Sequence, residues 1–198
     1  DGLTPDDYLG DPNVRVITWL HVVPHGDDLE RQHAEYLSYR NRDAANFVVM
    51  KNETFHHPKK REMSRRYMWS SVMAGMHCLE AYHHADNTPL PILSDDGYIN
   101  QFMEQTRFHE MAPHDELAAG STKWVLAKPG QSYIAYTYEY AGTMGVRGIE
   151  SGSFRLTWLD TASGQKSMVD ARVGDSTALW KKPDGFGNEL ALSIERID

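Results

Sequence analysis

Apolar and polar positions change their spacing along the chain, and the change divides it. Val14 to Val23 (VRVITWLHVV) is apolar and rich in β-branched residues, the pattern of a buried strand. Pro24-His25-Gly26 breaks it. Asp27 or Asp28 is placed to cap a helix reaching about Asp43. Leu29, His33, Tyr36, Leu37 and Arg40 recur there at three- and four-residue spacing, while Glu30, Arg31, Glu35 and Arg42 point elsewhere. Phe47 to Lys51 is a second strand. Pro58 suits the opening of the next helix. The stretch 59–74 (KKREMSRRYMWSSVMA) starts charged and becomes apolar on most faces, so its C-terminal half is predicted to be buried. Gly75 ends it, as a C-terminal glycine commonly does. Met76 to Tyr82 is a third strand. Asp95 or Asp96 would cap a third helix through about Phe108, with Ile99, Phe102, Met103 and Thr106 on one side.

Strands alternating with helices argue for parallel βαβ units. From Thr122 onward only strand and turn signals remain. The strands predicted are 123–127, 132–140, 152–159, 166–173 and 189–197. They are separated by Lys128-Pro129-Gly130, the stretch 142–148, Ala162-Ser163-Gly164 and the stretch 183–188. Tyr136, Tyr138 and Tyr140 alternate with Thr137 and Glu139. Short strands at regular spacing suggest an antiparallel sandwich. The boundary between the two patterns falls around 112–121, and 1–13 reads as an acidic loop. The expected fold is therefore α/β over 1–115 followed by an all-β domain over 121–198.

Composition narrows the partners. The 198 residues are 40% hydrophobic and 24% charged, an ordinary globular balance. No apolar run approaches the roughly 18 residues of a membrane span. A net charge of −8 argues against a nucleic-acid partner, whose phosphates need a basic face. Cys78 is the only cysteine, so no disulfide forms within the chain. It is expected to be a small apolar residue on a buried strand. Five Trp, ten Tyr and six Phe supply sheet packing, with some left to serve as sugar platforms.

The candidate chemistry sits where the second strand ends. NFVVMKNETFHH (46–57) carries Glu53 just past an apolar run, and parallel α/β enzymes present catalytic carboxylates at such strand ends. The competing reading of Glu53 is a solvated charge. Trp19 and His21 alternate at the end of the first strand and share a side, placed to line a sugar pocket or to pack against helices. Glu80, at the end of the third strand, is a second carboxylate and more readily structural. His56-His57, His83-His84 and His77 lack the spacing of a metal site, so no metal and no cofactor is expected. They read instead as loop histidines at the mouth of a pocket.

Three strands and three helices do not close a barrel, which takes about 250 residues. Either this is a small open sheet, or it is the end of a barrel that begins elsewhere. The first residue is Asp1 rather than Met, and the second alternative is the expectation.

At this point several motifs resemble one family. The carboxylate after an apolar strand, Arg65-x-x-x-Trp69 in the following helix and then Ala74-Gly75 look like the end of a clan-A-type glycoside hydrolase barrel. Ser132-Tyr133-Ile134-Ala135-Tyr136 is similar to the strand opening the small C-terminal β-domain of these enzymes. Trp158-Leu159-Asp160-Thr161-Ala162-Ser163-Gly164 is similar to its Trp-containing turn, with Thr161 where the family usually has Pro. Pro183-Asp184-Gly185 before Glu189–Ile194 is similar to its last turn and strand. That domain is labelled collagen-binding in collagenases.

The resemblance implies the last βα units of a (β/α)8 barrel followed by a small antiparallel β-sandwich. The activity implied is a glycosidase acting on a polysaccharide or oligosaccharide. In such barrels the two carboxylates follow the fourth and seventh strands. With 47–51 as the seventh strand, Glu53 is the nucleophile or its equivalent, and its partner lies upstream; Asn52-Glu53 could instead imitate the Asn-Glu pair of a fourth strand, but the Arg65-x-x-x-Trp69 helix and the domain change two units later favour the seventh. Trp19, His21, His56, His57 and His83 would surround the substrate. Two carboxyl groups ~5–5.5 Å apart would mark a retaining enzyme and ~6.5–9.5 Å an inverting one. The expected partners are a carbohydrate substrate and the missing N-terminal barrel segment or another chain, with no nucleic acid and no membrane. The expected location is secreted or periplasmic. Two rival readings stand beside this one: a glycan- or matrix-binding accessory protein, and a structural subunit completed by another chain.

Overall fold

The computed structural model describes residues 5–19, 28–44, 46–52, 61–79 and 88–198, with 5, 19, 51, 52, 78 and 79 described by their backbone alone. The chain forms two compact units, Asp1–Ile92 and Leu93–Asp198. The change from helical to strand pattern at 112–121 comes later in the chain than this division.

The first unit holds three parallel strands in the order β1-β2-β3: β1 (Val16–Trp19), β2 (Val48–Asn52) and β3 (His77–Leu79). Helix α1 (Leu29–Asp43) follows β1, and α2 (Arg61–Met73) follows β2. Asp28 caps α1 as its sequence position predicts: its Oδ1 accepts the Arg31 N–H at 3.0 Å. Leu29, Gln32, His33 and Tyr36 form the buried stripe. Helix α2 is buried from Tyr67 through Met73. It closes on Gly75, whose φ of 76° is open to glycine at little cost. The Met76 N–H reaches the Ser71 carbonyl and the Gly75 N–H the Val72 carbonyl, the paired bonds of a Schellman stop. Val49, Tyr36, Ala74 and Met76 make the small core between sheet and helices. The alternate positions Val16 and Val48, on the other face of this sheet, are 46% and 45% exposed.

Helix α3 (Leu90–Met103) crosses the division between the units. It starts before the predicted Asp95 or Asp96 cap and ends before Phe108. Pro91 falls in its first turn, where a missing N–H costs nothing. Asp96 instead sits one turn before Asn100, whose amide donates to its Oδ1 at 3.3 Å.

The second unit is mostly antiparallel sheet. Its strands are β4 (Ala112–Pro113), β5 (Ala118–Gly120), β6 (Trp124–Lys128), β7 (Ser132–Thr137), β8 (Met144–Arg147), β9 (Gly152–Asp160), β10 (Lys166–Val173), β11 (Thr177–Trp180) and β12 (Leu190–Arg196). One sheet runs β10-β9-β12-β7-β6-β4 and a second β11-β8-β5. Alternation explains the larger sheet. Phe154, Leu156 and Trp158 of β9 face the same core as Leu190, Leu192 and Ile194 of β12, with Leu192 opposite Trp158 and Ile194 opposite Leu156. Met144, Val146 and Ala178 bring the second sheet into that core. On the reverse face Trp124 stacks on Tyr136 at 5.5 Å, and the Tyr136 hydroxyl donates to the buried Glu189 carboxylate at 3.0 Å.

The five strands predicted for this region all form. Strands β4, β5, β8 and β11 have no counterpart among them, and β8 lies inside the stretch 142–148 that reads as a turn. Gly145 is there for close approach: a Cβ would lie 1.9 Å from the Ala178 carbonyl oxygen of β11.

The turn after β9 is tied by one carboxylate. Asp160 Oδ1 accepts the Ala162 and Ser163 N–H groups at 3.0 Å each, and Oδ2 accepts the Gly187 N–H at 2.6 Å. Thr161, at the position where the resemblance expects Pro, uses the N–H that Pro lacks, donating to the Glu189 carbonyl at 3.1 Å.

Candidate functional site

Parallel pairing brings the carboxyl ends of β1, β2 and β3 to one end of their sheet. Trp19 is the register partner of Lys51, Lys51 of Cys78, and Asn52 of Leu79. Neighbouring strands lie ~4.8 Å apart, so these ends form a short row. This is the end from which α/β folds present their ligand-binding loops, because helix connections leave the other end to pack.

The predicted site residues stand in relation to this row. Trp19 is its first member, the last residue of β1. Glu53 follows β2 in sequence and lies outside the described residues, as do His21, His56, His57, His83 and Glu80. His77 opens β3, at the end of the strand away from the row. Among the described residues, no three His, Cys, Asp or Glu side chains come together as a metal site, and no helix is long and apolar enough to cross a membrane.

Buried polar groups lie on the helices of this unit, and of them the helix spacing singles out His33 alone. The His33 ring sits with Nδ1 2.8 Å from the Ser70 carbonyl oxygen, which ties α1 to α2. The hydroxyls of Ser70 and Ser71 donate back to the Tyr67 and Met68 carbonyls, so these small polar residues are satisfied within their own helix. Arg65 and Trp69, the pair that carried the barrel resemblance, are both buried. Asp43 is buried at the end of α1 and takes a fork from Arg42 Nε at 2.9 Å and Nη2 at 3.0 Å. That bond pushes the Arg42 guanidinium further above its already high range. The signal for these groups in the sequence is a polar residue on or beside an apolar stripe. Polarity alone does not separate it from a solvated face.

No protein-family model matches the chain. No curated protein matches it either. Solved structures do. One described as "Glycoside hydrolase" aligns with a TM-score of 0.64 over 89% of this chain, at 16% identity. A glycoside hydrolase family 5 protein from Bacteroides vulgatus aligns with a TM-score of 0.63 over 87% of this chain, at 14% identity. The chain shares its fold with glycoside hydrolases. It spans about half the length of those two structures, 48% and 47%. At such low identity the agreement concerns backbone arrangement, and the chemistry has to be argued from residues.

Proposed function

We propose that the chain is the C-terminal part of a carbohydrate-active hydrolase, a glycosidase of polysaccharides or oligosaccharides. In this reading 1–115 supplies the last βα units of a (β/α)8 barrel and 121–198 its C-terminal β-sandwich. Glu53 is the nucleophile-equivalent carboxylate. Trp19 offers a ring to the sugar face, and His21, His56, His57 and His83 line the approach.

The observation that carries the reading is the row of parallel strand ends at Trp19, Lys51 and Cys78, in a chain that aligns over most of its length with glycoside hydrolase structures. Glu53 follows that row by sequence, where a catalytic carboxylate of such a fold belongs. The exposed Val16 and Val48 support the second half of the proposal. A barrel strand points alternate residues inward, where neighbouring strands bury them. Further βα units, on the same polypeptide or on another chain, would cover this face and bring the second carboxylate. A secreted or periplasmic location suits a polysaccharide substrate.

The test is Glu53→Gln in a protein that includes the complementary barrel units, assayed on a panel of oligosaccharides and polysaccharides. Removing an acid–base or nucleophilic carboxylate should lower kcat about a thousandfold or more while the fold persists. Turnover within a few fold of the unsubstituted protein would overturn the assignment of Glu53. Absence of activity on every glycan in both proteins would overturn the enzyme reading.

A further inference from the structure

The six-stranded sheet treats its two edges differently. One edge is β4, two residues long and ending in Pro113, a short edge that offers little to pair with. The other is β10, eight residues long, with Met168 63% and Val169 52% exposed.

Among the described residues no further strand pairs with β10, and the backbone groups on that edge can be assigned. The Asp160 N–H donates to the Gln165 carbonyl at 2.9 Å, and the same register continues with Lys166 opposite Leu159. Bonded pairs alternate along an antiparallel ladder. Ser167, Val169, Ala171 and Val173 therefore turn their N–H and C=O groups toward β9. Lys166, Met168, Asp170 and Arg172 turn theirs outward, and these four share one face of the strand.

We infer that β10 is a self-pairing edge, which joins antiparallel to β10 of a second copy about a twofold axis at Met168. Charge discriminates among the registers. Centred on Met168, the pairing sets Lys166 opposite Asp170 of the second copy, twice by symmetry, and Met168 opposite its own equivalent. Centred on Val169, it would set Lys166 opposite Arg172 twice. Centred on Asp170, it would set two carboxylates face to face. Opposite charges across a strand pair stabilise it and like charges destabilise it, so of these three registers the first alone is self-complementary; centring on Ala171 would set Asp170 opposite Arg172 twice and leave Lys166 without a charged partner, and substitution of Lys166 separates the two.

Both charges are available for this. Lys166 makes a 3.3 Å bond to the Gln105 amide oxygen, a neutral partner that a carboxylate outcompetes. Asp170 receives Arg155 Nε on Oδ1 at 3.0 Å, while its Oδ2 has only a 3.4 Å contact and the side chain is 56% exposed. The outcome is one continuous sheet of two six-stranded halves. A strand-to-strand contact is smaller than the ~1,200 Å² of a standard stable interface, so the dimer depends on concentration.

Sedimentation equilibrium of the intact chain over a wide concentration range tests this. Met168→Pro removes an outward N–H and leaves the β9–β10 ladder its donors, and it should abolish the dimer. Lys166→Glu places acid opposite Asp170 twice and should raise the dimer Kd about tenfold or more. Adding Asp170→Lys to it reverses both charges and should bring Kd back near the original value. Circular dichroism shows whether each variant is folded, and the surface substitution Lys166→Glu carries the test if Met168→Pro is not. A chain monomeric to about millimolar overturns the proposal. So does a dimer that ignores Lys166→Glu, or one that the double exchange fails to restore.

Discussion

The parallel sheet of the first unit and the six-stranded sheet of the second dispose of their faces in opposite ways. In the first, Val49 packs with Tyr36 of α1 and with Ala74 and Met76 just past α2, while its neighbours Val16 and Val48 remain nearly half exposed. In the second, all six residues of β7 are buried, because Tyr133 and Ala135 point into one core and Trp124 and Tyr136 stack on the reverse side. The second unit draws its stability from side chains it contains. The first presents strand ends, and Val16 and Val48 on one face of its sheet stay nearly half exposed. Such a division of labour suits a fold whose binding groups sit on loops and whose rigidity comes from packed sheets.

The contrast can be broken hardest at Asp160. Three backbone N–H groups from two segments converge on this one carboxylate. Replacing it by alanine leaves all three without an acceptor and frees the 183–188 turn from β9. Asp160→Ala should cost about 2–3 kcal/mol, since bonds to a charged acceptor are the strong ones and part of the loss is recovered by water. Urea unfolding followed by Trp fluorescence reads this well, because Trp124, Trp158 and Trp180 all lie in the second unit. A change below about half a kcal/mol would show that the turn is held by its strands rather than by the carboxylate.

A finer comparison uses two adjacent valines of one strand. Val49 is 3% exposed and Val48 is 45% exposed. Val49→Ala should destabilise the first unit by about 2 kcal/mol through lost burial and the cavity left behind. Val48→Ala should cost less than about 0.5 kcal/mol in this chain. With the complementary barrel units present, the Val48 cost should rise toward that of Val49. Equal costs in the chain alone would mean that the Val48 face is already covered.

These same elements show what local pattern carries. The five longer antiparallel strands are legible because alternation and turn residues agree at every step. Strand β8 is not, since Gly145 has the same signature whether it makes a turn or lets the Ala178 carbonyl approach. The start of α3 is displaced for a related reason. Asp95 and Asp96 look like caps, yet Pro91 lets the helix begin earlier, and Asp95 ends up fully buried within it. The site divides in the same manner. Glu53 stands out because it follows an apolar strand, and parallel pairing does bring three strand ends into one row. The helix spacing does put His33 on the buried stripe of α1, but its bond to the Ser70 carbonyl is a tertiary contact that no spacing along the chain announces.

The smallest effect expected is electrostatic. Glu110 follows α3 in a short 3-10 turn and accepts Lys128 Nζ at 2.6 Å and Arg107 through two nitrogens. The Lys128 bond first and the Arg107 bonds second hold its carboxyl at about 2, below its ordinary 4.5. A carboxyl whose folded value is depressed stabilises the fold fully above the unfolded value. It loses that contribution as pH falls from about 4.5 toward 2. Glu110→Gln should therefore lower stability at neutral pH and leave it unchanged near pH 2, so the two unfolding curves converge as acid is added. The groups are partly open to solvent, so the gap at neutral pH is small and narrows further in high salt. Urea midpoints measured from pH 7 down to 2 check this. A gap that persists unchanged at the acid end would mean that Glu110 acts through packing and not through its charge.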